Sequence, residues 1–297
     1  MKNRFRHLIQ LVATVLCNGY IIGFQKHRIF QGASKAFCVP VLNCYSCPGA
    51  LGSCPIGSLQ AVLGDRNHHF SFYVLGMLML FAILLGRLVC GFLCPFGFFQ
   101  ELLYKIPVPK ISVPKAADKV LRYLKYLILL FFVIIGPLAL TNEFGIGSPY
   151  FCKLICPAGT MGGGIPLVFT NPVLQKTIGN LFFWKIGVLI FFVLASLFIY
   201  RPFCKYICPL GAFYALFNRF SFYQLKVDHS KCTNCGACSR VCDMQVQLTE
   251  NKGISECIRC GKCKKVCPQN AIQTEICGKK CGGKRQRTNK NKLEEKI

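Results

Sequence analysis

The sequence predicts two units of different kinds. The first is an α-helical membrane unit of four transmembrane helices, built as a tandem two-helix repeat. The second is a small α+β unit that follows it. Three observations carry this. Hydrophobic residues make up 53% of the 297 and charged ones only 16%, against roughly 25% charged in ordinary soluble domains. The apolar residues gather in long runs, as membrane spans do. The 21 cysteines fall mostly in short regular spacings. In a long apolar chain that pattern points to metal ligation rather than to the disulfide framework of a small secreted domain.

The runs come in this order. Leu8 to Phe24 is apolar apart from Gln10, Thr14 and Asn18. It has the basic start of a signal peptide, but no A-x-A-like cleavage site follows, so it is read as an anchor. Phe70 to Leu93 carries one charge, Arg87, near its end. Tyr126 to Leu140 is short, and Tyr123 and Leu124 extend it. Leu181 to Tyr200 is apolar apart from Lys185. Lys and Arg are dense before the first run, between Glu101 and Lys125, and from Arg201 onward; they are sparse from Gln25 to His69 and from Thr141 to Asn180. The positive-inside rule then puts both termini and the middle loop in the cytoplasm of a multi-pass cell-membrane protein. The net charge of +25 is partly a basic tail, which fits membrane lipid headgroups rather than nucleic acid. The expected units are residues 1–226 (membrane), 227–276 (α+β) and 277–297 (tail).

The second unit contains Cys232-x2-Cys235-x2-Cys238-x3-Cys242 and Cys257-x2-Cys260-x2-Cys263-x3-Cys267-Pro268. Three closely spaced thiolates wrap three corners of a 4Fe–4S cluster, and the fourth cysteine of each run ligates the other cluster. Cys232, Cys235, Cys238 and Cys267 are therefore expected to hold one cluster, and Cys257, Cys260, Cys263 and Cys242 the second. Zinc sites use two cysteine pairs, not this spacing twice over. Gly236 and Gly261 let the backbone turn tightly. Asp243 stands where such runs have proline, which is expected to loosen one turn. Thiolate chemistry of this kind fits the reducing cytoplasm.

A cysteine–proline motif recurs in the membrane unit at Cys54-Pro55, Cys94-Pro95, Cys156-Pro157 and Cys208-Pro209, each with glycine two residues beyond the proline. Three of the four are C-x3-C-P: Cys90/Cys94, Cys152/Cys156 and Cys204/Cys208. Arg87-Leu-Val-Cys90 aligns with Arg201-Pro-Phe-Cys204. The order helix, outer cysteines, helix, inner cysteines, then the same again, reads as a tandem duplication. It brings Cys90, Cys94, Cys204 and Cys208 to one membrane face as an inner metal or cluster site. Cys152 and Cys156 can meet members of Cys38, Cys44, Cys47 and Cys54 at an outer site, for which disulfides are the competing reading. Arg87 and Arg201 either snorkel to headgroups or offset the charge of an anionic cluster or a quinone carbonyl. His68 and His69 read as interfacial residues. Cys17 reads as a small buried hydrophobe. Cys277 and Cys281 have no evident partner. Gly159 to Gly164 follows no strand and is no dinucleotide loop.

The spans, the C-x3-C-P motifs and the paired cysteine runs together resemble the NapH/NosR/MauN-like membrane ferredoxin-type family, from about Leu8 to Cys267. The C-terminal segment resembles bacterial-type two-cluster ferredoxins. The resemblance implies quinol dehydrogenases or electron conduits between cytoplasmic carriers, the quinone pool and extracytoplasmic redox proteins. The chain lacks the large extracytoplasmic flavin domain of the NosR kind, and its outer cysteines depart from the better-known members. The expected function is iron–sulfur electron transfer in the membrane, with two 4Fe–4S clusters and room for further clusters, metal ions or quinone. A redox regulator and a metal-handling or assembly factor use the same cysteines and stand as alternatives.

Overall fold

The computed structural model describes residues 3–26, 28–65, 71–140, 147–249, 253–276 and 279–281. Its helical part contains α1 (Asn3–Cys17), α2 (Pro55–Gly64), α3 (Phe72–Leu84), α4 (Leu88–Phe92), α5 (Pro95–Tyr104) and α6 (Lys115–Ile128). A π-helical stretch, Leu129–Ile135, and a last turn, Gly136–Ala139, carry α6 onward. Then come α7 (Tyr150–Leu154), α8 (Asn180–Phe198), α9 (Pro202–Tyr206) and α10 (Pro209–Phe217).

Among the described residues, two helices are long and apolar enough to cross a membrane: Lys115–Ala139 with 25 residues and α8 with 19. Many of their large apolar side chains are exposed, among them Val120, Leu127 and Phe131 on the first and Phe183, Trp184 and Phe191 on the second. A helix that presents apolar residues outward is fitted to an apolar surrounding or to a partner. The first two predicted runs fold as shorter pieces. The first helix ends at Cys17, well before Phe24; Thr14 Oγ1 bonds the Gln10 carbonyl at 2.7 Å and Asn18 Nδ2 the Thr14 carbonyl at 3.1 Å. Such side chains compete with the helix for its own carbonyls. The second run breaks at Gly86, whose φ of +54° is left-handed. A Cβ there would stand 2.6 Å from Asn218 Oδ1, so only glycine fits the turn.

In the second unit β1 (Tyr223–Val227) pairs antiparallel with β2 (Ile272–Ile276), Tyr223 opposite Ile276 and Val227 opposite Ile272. A short strand, β3 (Lys279–Cys281), pairs with β2 on its other side. Two short helices, α11 (Ala237–Arg240) and α12 (Lys262–Val266), lie between β1 and β2. The backbone repeats itself. Asn234 and Arg259, Gly236 and Gly261, and Gln245 and Asn270 all have positive φ, at matching steps of the two cysteine runs. Non-glycine residues seldom adopt that region, so three matched pairs mark one local fold used twice.

The two units pack face to face. A Cβ on Gly91 of α4 would stand 2.4 Å from the Ile258 carbonyl. Arg259 donates to the carbonyls of Leu85 at 2.8 Å and Asn218 at 2.6 Å. Beneath them, Glu256 accepts from both Arg87 and Lys125, two cations with no exposure.

Candidate functional site

The eight cysteines of the second unit line two cavities. One is lined by Cys232, Cys235, Cys238 and Cys267, the other by Cys242, Cys257, Cys260 and Cys263. Each cavity thus takes three sulfurs from one run and the last sulfur of the other. Apolar residues complete the walls, Ala237, Ala271 and Ile272 in the first and Leu225, Met244 and Ile258 in the second. Backbone N–H groups point at the crossing sulfurs: Val246 to Cys242 at 3.4 Å and Ala271 to Cys267 at 3.3 Å. Asp243 does not loosen its turn, because its carboxylate pairs with Lys262 of the other run while the Val246 bond is kept.

The residues fit a thiolate-bound cluster. Burial pushes the Cys257 thiol up to about 11 and the Cys263 thiol to about 12. Such groups keep their protons in neutral solution unless a metal takes the proton's place. The first cavity lies near the surface, where Cys235 is exposed; the second includes Tyr200 from the end of the helical unit.

Cys90, Cys94, Cys204 and Cys208 are all buried and lie within electrostatic reach of one another. Proline at the first helical position begins α5 and α10, which makes Cys94 and Cys208 their N-caps. Proline is preorganised for that position, and the helix dipole favours an anion ahead of it. The Gly97 and Gly211 N–H groups donate to these two sulfurs at 3.4 Å each. The two aligned arginines cross over: Arg87 Nη2 donates to the Cys204 carbonyl at 3.1 Å, and Arg201 Nη1 to the Cys90 carbonyl at 2.5 Å. Both are fully buried, so neither snorkels. The Nε–H of each is buried with no hydrogen-bond partner among the described residues. Two unspent donors on buried cations beside four sulfurs fit an anionic group held between them.

On the other side, Cys54, Cys152 and Cys156 act electrostatically on one another, together with Cys44. Cys44 Sγ lies 3.5 Å, and Cys156 Sγ 3.9 Å, from where a Cβ on Gly159 would stand. Cys47 neighbours Cys44, but its sulfur donates to Asn18 Oδ1 at 3.7 Å. Cys38 is buried and pairs by its backbone with Ser53. Cys17 ends α1, half-buried. His68, His69 and Cys277 lie outside the described residues, as does the side chain of Cys281. Among the described residues no three Cys, His, Asp or Glu side chains converge tightly enough for one metal ion. A single zinc ion holds its sulfurs about 2.3 Å from the metal.

Gln60, Gln100, Glu256 and Lys125 are polar residues of the core that the cysteine spacing did not single out. A signal for the two glutamines was present: Cys54 to Gln60 and Cys94 to Gln100 both read C-P-x-G-x2-Q.

Known 4Fe-4S binding families match the same stretches of the chain. A family described as a 4Fe-4S binding domain matches residues 67–114, 126–166 and 180–226, and a second 4Fe-4S binding domain family matches 225–246 and 254–273. An uncharacterized protein of Methanocaldococcus jannaschii is 34% identical over 180 residues, 59% of this chain and 66% of that one. The regulatory protein NosR of Pseudomonas aeruginosa is 30% identical over 171 residues, 55% of this chain and 21% of NosR. The methylamine utilization ferredoxin-type protein MauN of Paracoccus denitrificans is 37% identical over 91 residues, 29% of this chain and 31% of MauN. The matched stretch is thus less than two thirds of the length of these curated relatives. No solved structure matches the chain. Fold and cysteine-lined cavities define an iron–sulfur protein with ferredoxin-type 4Fe–4S domains. The chain belongs to the NapH/NosR/MauN-like ferredoxin-type family.

Proposed function

We propose that the protein is a membrane-embedded electron conduit. Cys232, Cys235, Cys238 and Cys267 hold one 4Fe–4S cluster, and Cys257, Cys260, Cys263 and Cys242 hold a second. A cluster supplies one-electron transfer without bond making. The chain's own residues seat it, exclude water from it and balance its charge. The four apolar runs cross the membrane, the shorter ones with help from the outer loops, and both termini face the cytoplasm. A cytoplasmic electron carrier meets the first, more exposed cluster. Cys90, Cys94, Cys204 and Cys208 would hold a further cluster, which would take the electron from the second and pass it toward quinone or an extracytoplasmic redox protein. Any oxidoreductase activity, such as quinol dehydrogenation, belongs to that exchange.

One observation carries this reading. Ile258 lines the second cavity, and its carbonyl packs on Gly91, the residue after Cys90. The ferredoxin unit is therefore docked on the inner cysteines and does not hang from a tether. Vesicles containing the full chain and a trapped ferricyanide acceptor test it. Reduced ferredoxin added outside should bleach the acceptor. Cys204→Ser should keep both ferredoxin EPR signals and lose the transfer. If the wild-type clusters are reduced but no electron reaches the acceptor or added quinone, the chain is a redox regulator.

A further inference from the structure

The outer cysteines repeat, bond for bond, the contacts that a buried glutamine makes at the inner ones. At the inner set, Gln100 Oε1 accepts from the Phe203 N–H at 3.2 Å, and Nε2 donates to Cys204 Sγ at 3.1 Å. At the outer set, Gln60 Oε1 accepts from the Phe151 N–H at 3.1 Å, and Nε2 donates to Cys152 Sγ at 3.3 Å. Each glutamine also bonds the carbonyl four residues back, Phe96 at 3.4 Å and Ile56 at 3.2 Å. Gln60 is 0% exposed and Gln100 1%. The receiving segments match as well: Phe151 to Pro157 and Phe203 to Pro209 both read F-C-K-x-I-C-P.

A buried amide costs free energy unless each of its groups is bonded. Here both glutamines make the same three bonds, two to the ligand-bearing turn of another helix and one to a carbonyl of their own. That arrangement fixes the first sulfur of C-x3-C against the cysteine–proline helix of the other half of each set. Simple packing would not need the same three bonds twice.

We propose that Cys44, Cys54, Cys152 and Cys156 form a second four-sulfur cluster site built to the inner plan, with Gln60 and Gln100 as the positioning residues of the outer and inner clusters. This rests on the conduit reading and extends it to the far side. Cys44 takes the place that Cys90 has inside, and Cys47 and Cys38 are not ligands. Each thiol gives up its proton on ligation. The amide N–H on Cys152 and Cys204 then stabilises the extra negative charge of the reduced cluster. The two sites share one core. Tyr214 of α10 donates to the Pro40 carbonyl of the outer loop at 2.8 Å, and it lies within electrostatic reach of Cys54 on one side and Cys90, Cys94 and Cys208 on the other. The step between the sites is therefore shorter than the roughly 30 Å of a bilayer core.

The test is iron and acid-labile sulfide per chain on the full protein purified without oxygen, followed by EPR redox titration. The wild type should carry about sixteen irons, four per cluster. Cys152→Ser should lose about four of them, and Cys47→Ser should lose none. Gln60→Leu should keep the full iron content and move one cluster's potential in the negative direction; Gln100→Leu should do the same to a different cluster. A wild-type count near twelve that Cys152→Ser leaves unchanged overturns the outer site and leaves the inner relay standing. A count near eight overturns both. A full count with four irons lost in Cys47→Ser overturns the ligand assignment. Potentials unmoved in both glutamine variants overturn their role.

Discussion

Single residues decide how the buried charge is balanced. Arg201 has φ of +48°, unusual for a residue with a Cβ. That turn lets one guanidinium reach the Cys90 carbonyl and Glu101, which lies 3.1 Å from Nη2. Lysine offers a point charge in place of a planar fork and cannot hold both. Arg201→Lys keeps the charge but leaves one buried acceptor unmet, so it should lower the thermal unfolding midpoint and cost about 1–3 kcal/mol. Glu101 sets a pH limit from the same cluster. Burial pushes its carboxyl up, but Arg201, Arg6 and the Tyr200 hydroxyl outweigh it and hold it at about 2. An unfolded glutamate titrates near ~4.3. The folded value is the lower one, so this stability is complete above that pH and is lost as the pH falls toward 2. Acid unfolding in detergent, followed by circular dichroism, should show that loss, and Glu101→Gln should flatten it. The equivalence of Arg87 and Arg201 was legible in the sequence because each stands three residues before a C-x3-C pair. Their carboxylate partners were not legible. Glu101 and Glu256 look like ordinary solvated charges until the fold buries them.

At the scale of elements, the sequence placed the cysteine–proline motifs at the ends of spans; that Pro95 and Pro209 also open short helices of their own came from the structure, and it fits proline's preference for the first helical position. Helix lengths were less legible. Hydropathy reports how apolar a stretch is, and it passes over a glycine that must turn left or an asparagine that bonds back to its own helix. Hence Phe70 to Leu93 reads as one span although it divides at Gly86, and Leu8 to Phe24 reads past the true end at Cys17. The short helix after the break has its own task, which is to press Gly91 against the ferredoxin unit. Gly91→Leu would drive a side chain into the Ile258 carbonyl, 2.4 Å from the first added carbon. Overpacking of this kind costs about 1–3 kcal/mol. Here the strain falls on the docking face. Hydrogen exchange should quicken across residues 257–263, while the ferredoxin EPR signals remain and transfer to the inner site slows. Unchanged exchange there would mean that the two units do not lean on this contact.

Across the whole molecule, the boundary between an apolar unit and a cysteine-rich one was plain from composition. The dependence of one on the other was not, since it runs through residues far apart in sequence. Arg87 and Lys125 are buried in the helical unit, yet the carboxylate that serves both, Glu256, belongs to the ferredoxin unit. Without it, two cations would sit unpaired in a dry interior, a cost that neither could relieve by reaching water. The helical unit therefore cannot reach its observed packing alone, and the two units should unfold as one. Glu256→Gln keeps the shape of the side chain and removes the charge. It should cost on the order of 3–5 kcal/mol, read as a lower unfolding midpoint by fluorescence. Adding Lys125→Met to that variant removes one stranded cation and should recover part of the loss, although it deletes a further polar contact. A single cooperative transition in the wild type, with both effects in these variants, would establish the shared core. Two separate transitions, or a double variant worse than Glu256→Gln, would show that the carboxylate is not what joins the halves.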